Sequence, residues 1–243
     1  SGDVAAVIME PVGGLIGALP PKEYFKELKK KCEENNIIFI DDEVQSGMGR
    51  TGKMFAIEYS GVEPDVLTTG KGLASGLPVG STVFRKDLFE TEEMIKNYGG
   101  VMTSTFAGNG IVMAAAKASI ETYIEEKLPE NAAKQGSYIM KRLGEIQKES
   151  KIIANFEGTG LLILVEFMKD EKPWRHWDFT PSKEMAMDMC KESFEHGLLM
   201  FNSGWHGGGV KICPPLVITR EQVEKGMDIF AESVKAVQKK HLA

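Results

Sequence analysis

Ile38-Phe39-Ile40-Asp41-Asp42-Glu43-Val44-Gln45-Ser46-Gly47-Met48-Gly49-Arg50-Thr51-Gly52-Lys53 runs from a hydrophobic stretch straight into acids, an amide and glycines. Just downstream, Thr68-Thr69-Gly70-Lys71-Gly72-Leu73-Ala74-Ser75-Gly76-Leu77-Pro78 repeats the design with a glycine-flanked lysine. Both read as buried strands ending at a polar, glycine-rich turn. In open sheets of parallel strands, ligands sit outside the carboxyl ends of the strands. Asp42 and Lys71 are both expected just past such ends.

The rest of the chain supports that sheet. Val4 to Met9 reads as a buried strand ending in Glu10-Pro11. Pro20-Pro21 opens a helix with Tyr24, Phe25 and Leu28 on one face, and Asn35-Asn36 ends it. Ile37 to Ile40, Val66 to Thr69 and Val79 to Phe84 complete four strands. Lacking polar alternation and separated by helices, they predict an α/β fold with a mostly parallel sheet covered on both faces. Gly108 to Glu126 and Asn131 to Ser150 read as helices, and Leu161 to Phe167 as a strand after Gly158 and Gly160. Lys169 to Pro181 is expected as a polar loop. Ser182 to His196 is a helix capped by Ser182, and Leu198 to Phe201 and Val210 to Ile212 are short strands. Thr219 to Lys239 is a last helix, with Gln222 placed to close a capping box on Thr219. A boundary near Lys151 divides residues 1–150 from an α+β unit over 151–243.

Composition narrows the function. The 243 residues suffice for one large or two modest domains, and the net charge of -6 is spread along the chain. No basic patch is interleaved with aromatics, which argues against nucleic acid. No apolar run approaches the ~20 residues of a membrane span. Cys32, Cys190 and Cys213, and His176, His196, His206 and His241, are scattered without metal-ligand spacing. No metal site is expected, and a reducing cytoplasm is the expected setting. The start, Ser1-Gly2 without methionine, fits a fragment, a processed chain or a cloning remnant.

Asp42, Gln45 and Lys71 together offer what a pyridoxal phosphate enzyme needs. These are a carboxylate for the pyridinium nitrogen, a polar group near the ring oxygen and a lysine for a Schiff base. The competing lysine, Lys53, follows Gly52 in a loop. A lone lysine is nearly always a solvated charge, but one buried between a strand and a glycine turn would have a lowered pKa and a nucleophilic amine. Asp41 and Asp42 point to opposite faces of a strand, so only one can meet a ring.

From Glu10-Pro11 to Cys213-Pro214-Pro215-Leu216 the chain resembles the class III, or omega, aminotransferases of fold-type I, the group of the 4-aminobutyrate and ornithine enzymes. The resemblance covers the C-terminal part of such an enzyme, leaving an N-terminal stretch roughly as long again unmatched. It implies part of the large cofactor-binding domain followed by the small C-terminal domain. It assigns the ring-nitrogen role to Asp42, 29 residues before Lys71. It implies that Lys71 holds the cofactor as an internal aldimine and moves a proton once displaced. Val44 would pack on the ring and Gln45 would donate to the ring oxygen. Gly47, Gly49 and Gly52 are turn positions, and Arg50 holds the loop. In Thr103-Ser104-Thr105-Phe106-Ala107-Gly108-Asn109, hydroxyls and amides at a helix start suit a phosphate, though spacing alone favours an ordinary cap. The resemblance has Thr105, with Ser104 beside it, reach the cofactor phosphate of a neighbouring subunit, which implies a homodimer or higher with shared sites.

Departures from the family pattern bear on the substrate. Lys211 stands where many members carry an arginine for a substrate carboxylate, and keeps the charge without the bidentate fork. A less rigidly held monocarboxylate, an amine substrate or a clamp elsewhere all remain open. Trp205 and His206 with glycines 207 to 209 line a substrate entrance or form a mobile turn with an exposed indole. Leu15 replaces the gating glutamate of the 4-aminobutyrate and ornithine enzymes, and Glu157-Gly158 replaces an arginine-glycine pair. The phosphate-cradling Gly-Ser loop and the ring-stacking aromatic lie outside these residues, so cofactor affinity is expected to be poor. The resemblance implies ping-pong transfer of an amino group from an amino acid or amine to a keto acid. The alternatives are an amino-acid racemase or epimerase on the same apparatus, or a non-catalytic fragment or subunit that needs its missing N-terminal half.

Overall fold

The computed structural model describes residues 2–89, 93, 96, 97, 104–168 and 181–242, with only the backbone of Phe89 and Trp205. The expected loop from Lys169, and Thr103 and His176, therefore lie outside the described residues. The chain divides into two compact units. One comprises residues 1–11, 20–49 and 53–128; the other comprises 12–19, 50–52 and 129–243.

The first unit is built on strands β1 (Ala6–Met9), β2 (Ile38–Asp42), β3 (Val66–Thr69) and β4 (Ser81–Phe84), paired in that order. The first three are parallel and β4 is antiparallel to β3. Helix α1 (Tyr24–Glu34) connects β1 to β2, as a parallel pair requires. Its residues Phe25, Leu28 and Cys32 recur at helical spacing and meet Phe39 of β2 and Ile57. Phe39 is fully buried at the centre of this core, which also takes in Val7 and Met9. The other face of β2 is less covered: Ile38 and Ile40 are half-buried, and Ile8, opposite Ile40, is 60% exposed. The expected covering of both faces is therefore partial. Asp42 is also the last residue of β2 rather than the first beyond it. The short helix α2 (Lys86–Phe89) and helix α3 (Gly110–Glu125) follow the sheet.

The second unit holds an antiparallel sheet in the order β5 (Ile153–Thr159), β6 (Leu162–Phe167), β8 (Gly209–Ile212), β7 (Phe201–Ser203). Its helices are α4 (Leu128–Glu149), α5 (Lys183–Glu195) and α6 (Arg220–Leu242). All six residues of β6 are buried, and all but Glu166 are apolar. Compactness breaks after Leu128 rather than near Lys151. Helix α4 goes with the second unit because Asn131 Nδ2 bonds the carbonyls of Leu216 and Ile218 and Gln147 Nε2 bonds that of Ala154. Strand β5 was not expected, and β7 begins at Phe201 rather than Leu198. Gly158 in β5 has φ of 151°, and a Cβ there would run into the Leu162 carbonyl. Both expected caps form: Ser182 Oγ accepts from Met185 N at 3.3 Å, and Gln222 N donates to Thr219 Oγ1 while Thr219 N donates to Gln222 Oε1.

Candidate active site

The parallel pairing of β2 and β3 sets Asp42 opposite Thr68. Asp42 turns to the less covered face and is half-buried. Its Oδ1 accepts from Val44 N at 3.1 Å and from Thr68 Oγ1 at 3.2 Å. Its Oδ2 has no hydrogen-bond partner among the described residues. Glu43 N donates to Thr68 O at 2.9 Å, which extends the pairing one step beyond the strand.

Three residues after Thr68, Lys71 begins a 3-10 turn, Lys71–Ala74. A Cβ on Gly70 would lie 3.7 Å from Val44 Cγ1, so the turn of Lys71 runs close beside Val44. Lys71 and Ser75 both adopt positive φ, 45° and 46°, which costs a residue with a Cβ roughly 1 kcal/mol each. Helix α3 braces the turn: Tyr123 Oη donates to Gly72 O at 2.6 Å and Ser119 Oγ to Ser75 Oγ at 2.8 Å. Lys71 itself is exposed, so the expected burial of its amine is not found in this chain.

The acids flanking Asp42 behave differently. Glu43 is buried and accepts from Ser46 Oγ at 2.5 Å and Ile57 N at 2.8 Å. Burial pushes its carboxyl above the ordinary range despite those bonds. Asp41 is fully buried with both carboxylate oxygens unpartnered, and burial, then Glu43, then Asp42 push its pKa up to about 8.

Gln45 is half-buried in the turn after Val44. Ser104 and Thr105 are exposed at the turn ahead of α3. Two of the helix amides there, Ile111 N and Val112 N, donate to Asn109 Oδ1 at 3.1 and 3.3 Å. The ordinary cap is what forms.

In the second unit, Arg50 Nη1 donates to the carbonyls of Leu161 and Pro214, the loop-holding task expected of it. Lys211 Nζ donates to Gly14 O, and Ser203 Oγ to Leu15 O at 3.1 Å. Lys211 is thus engaged with the turn at 13–17, whose Leu15 side chain is exposed. His206 is exposed with φ of 56°, and the side chain of Trp205 lies outside what is described. Asp42, Val44, Gln45, Lys71, Ser104 and Thr105 belong to the first unit, and Lys211, Trp205 and His206 to the second.

Residue-by-residue reading missed Thr68, Ser119 and Tyr123. Ser119 and Tyr123 carried a signal: they stand four apart on one face of an Ala-rich helix, with Ala116 completing the buried stripe. Among the described residues no three His, Cys, Asp or Glu are grouped to hold a metal ion, and no helix is long and apolar enough to cross a membrane.

Residues 1–234 match the profile described as Aminotransferase class-III. The chain belongs to the class III aminotransferase family. It is 40% identical over 234 residues to the alanine/serine racemase of Pyrococcus horikoshii, covering 96% of this chain and 47% of that protein. It is 38% identical over 223 residues to the putrescine aminotransferase of Pectobacterium atrosepticum, covering 90% of this chain and 44% of that protein. The class III chain also superposes on the ornithine aminotransferase of Toxoplasma gondii with a TM-score of 0.86, at 28% identity over 100% of this chain and 53% of that one. That enzyme's structure carries pyridoxal phosphate at partial occupancy in its active site. The fold is that of the fold-type I aminotransferases, and the chain spans about half the length of the curated relatives it matches.

The family uses pyridoxal phosphate. The donor set at the ends of β2 and β3 fits a protonated nitrogen heterocycle bearing an aldehyde. It offers an unpartnered carboxylate oxygen on Asp42, an apolar side chain on Val44 and a solvent-reachable amine on Lys71. For the phosphate this chain offers the exposed hydroxyls of Ser104 and Thr105.

Proposed function

We propose that this chain is the lysine-bearing part of a pyridoxal phosphate-dependent aminotransferase subunit, which moves an amino group from an amino acid or amine to a keto acid. The observation that carries the reading is the pairing of Asp42 with Thr68, three residues before Lys71, at the ends of adjacent parallel strands. When bound, the cofactor supplies an electron sink and an amine carrier. Asp42 Oδ2 would hold the proton on the ring nitrogen. Val44 would pack against the ring and exclude water from one side, while Gln45 would orient its oxygen. Lys71 Nζ would anchor the cofactor and, once released, take the proton from the substrate carbon that bears the amine. Ser104 and Thr105 would serve the phosphate, in a homodimer or larger assembly whose subunits share sites.

A second reading has a specific observation in its favour. The racemase relative is as similar as the aminotransferase, 40% against 38%. Racemisation uses the same lysine and acid but returns the proton to the substrate carbon and needs no keto acid. Amine accounting separates the two. The intact protein is incubated with single-enantiomer amino donors, with and without keto-acid acceptors. Amine appearing on the acceptor supports transfer; loss of chirality without an acceptor supports racemisation. Visible absorbance on adding pyridoxal phosphate, abolished in Lys71→Ala, is expected in either case. Borohydride reduction and peptide mapping that place the label on another lysine, such as Lys53, would sink both.

A further inference from the structure

Three consecutive acids, Asp41, Asp42 and Glu43, run off the end of β2, and the fold sorts them. Asp42 faces the open side and Glu43 is tied down by Ser46 and Ile57. Asp41 alone is sealed at 0% exposure with neither oxygen bonded among the described residues. Opposite it in register stand Met9 of β1 and Leu67 of β3, whose side chains donate nothing. Thr69, on the same side of β3, keeps its own buried hydroxyl unpartnered. The charges that act on Asp41 are Glu43 and Asp42, both negative. From the packed elements, Glu58 acts on Glu43, and Lys29 of α1 is held by Asp65 at 2.6 Å. Among the described residues no cation acts on this acid.

We propose that Asp41 is a positioning residue for Asp42: while it keeps its proton the end of β2 stays closed between β1 and β3, and its ionisation opens that end and displaces Asp42. The inference rests on the reading of Asp42 as the partner of the ring nitrogen. An unpaired carboxylate in an apolar setting must draw in water or move. The pair Asp41–Asp42 then works back to back across the strand, one neutral and sealed, the other presented to the ligand. A pKa of about 8 places the change where cofactor affinity can be measured on both sides of it.

The test uses the intact protein, with pyridoxal phosphate as the probe and visible absorbance as the readout. Wild type, Asp41→Asn and Asp41→Val are compared from about pH 6.5 to about pH 9.5. Wild-type affinity should fall by up to ~10-fold per pH unit above the Asp41 transition, and the variants should lack that fall. Thermal unfolding of the same proteins without cofactor gives a second reading. A proton held in the folded chain and released on unfolding makes wild type lose stability relative to Asp41→Asn as pH rises toward about 8, then level off. Variants that change unfolding but leave the pH profile of binding as in wild type would overturn the inference alone. A wild type that binds no cofactor at any pH would overturn the reading of Asp42 and this inference with it.

Discussion

Asp65 shows how a residue outside the candidate site holds the sheet that presents it. Its side chain is 6% exposed and accepts from Lys29 Nζ at 2.6 Å, Phe39 N at 2.9 Å and Arg85 Nη1 at 2.5 Å. Burial alone would push its carboxyl up, but these donors together hold it below the ordinary value of 3.8. A depressed acid stabilises the fold above its unfolded pKa, and that contribution is lost as pH falls through the folded value. Asp65→Asn is therefore expected to cost about 2 kcal/mol at neutral pH. The loss stays below that of a fully buried pair because Arg85 is half in solvent. The difference should close as the buffer is taken below about pH 3.8. Urea unfolding across that range checks it, and a constant gap between variant and wild type would refute it. The sequence could not reveal this triad, because Lys29 lies in α1 while Asp65 and Arg85 lie just before β3 and just after β4, far apart along the chain. Strand alternation showed only that one of Asp41 and Asp42 could face a ligand, and the resemblance, not the spacing, chose Asp42. Burial of Lys71 was inferred from its apolar neighbours, but Leu73 and Ala74 take the interior instead and leave the lysine outside.

At the scale of elements, what was legible was whatever local chemistry decides. Caps at Ser182 and Thr219 and the apolar stripe of α1 depend on residues within a turn of one another. Strand β5 was missed because Ile153-Ala-Asn-Phe-Glu-Gly-Thr neither alternates nor stays apolar, and only its pairing with β6 makes it a strand. Helix α4 offers a test in which local and tertiary effects oppose each other. Both Gly136 and Gly144 lie in it, and replacing a helical glycine by alanine gains up to ~1 kcal/mol. A Cβ at Gly144 would meet Phe156 Cζ at 3.8 Å, ordinary contact. A Cβ at Gly136 would run into the carbonyl of Gly160, and Gly160 in turn is packed on the backbone of Arg50 and Thr51. Backbone cannot step aside as a side chain can, and overpacking costs ~1–3 kcal/mol. Gly144→Ala should raise the unfolding midpoint and Gly136→Ala should lower it. Equal shifts in the two would show that propensity alone governs the helix.

For the whole molecule the decisive facts are the share of its relatives that the chain covers and the apolar surface it exposes. Ile8 and Phe106 in the first unit are 60% and 79% exposed, and Leu199 and Phe201 in the second are 65% and 69% exposed. Each such side chain left in water forgoes roughly 1.5–3 kcal/mol of burial. The curated relatives carry about as much chain again, 47% and 44% of their lengths being matched. A polypeptide of that full length has material to cover these residues and to enclose the amine of Lys71. The 243-residue chain expressed alone is therefore expected to bind an apolar-surface dye strongly and to stay colourless with pyridoxal phosphate. A form extended to the relatives' length should lose the dye signal and turn yellow. Gel filtration at several concentrations should find the short form self-associating through the same side chains. If instead the short form is dye-silent, monodisperse and yellow, its own residues enclose the cofactor. Asp42, Val44 and Lys71 then work without a covering half.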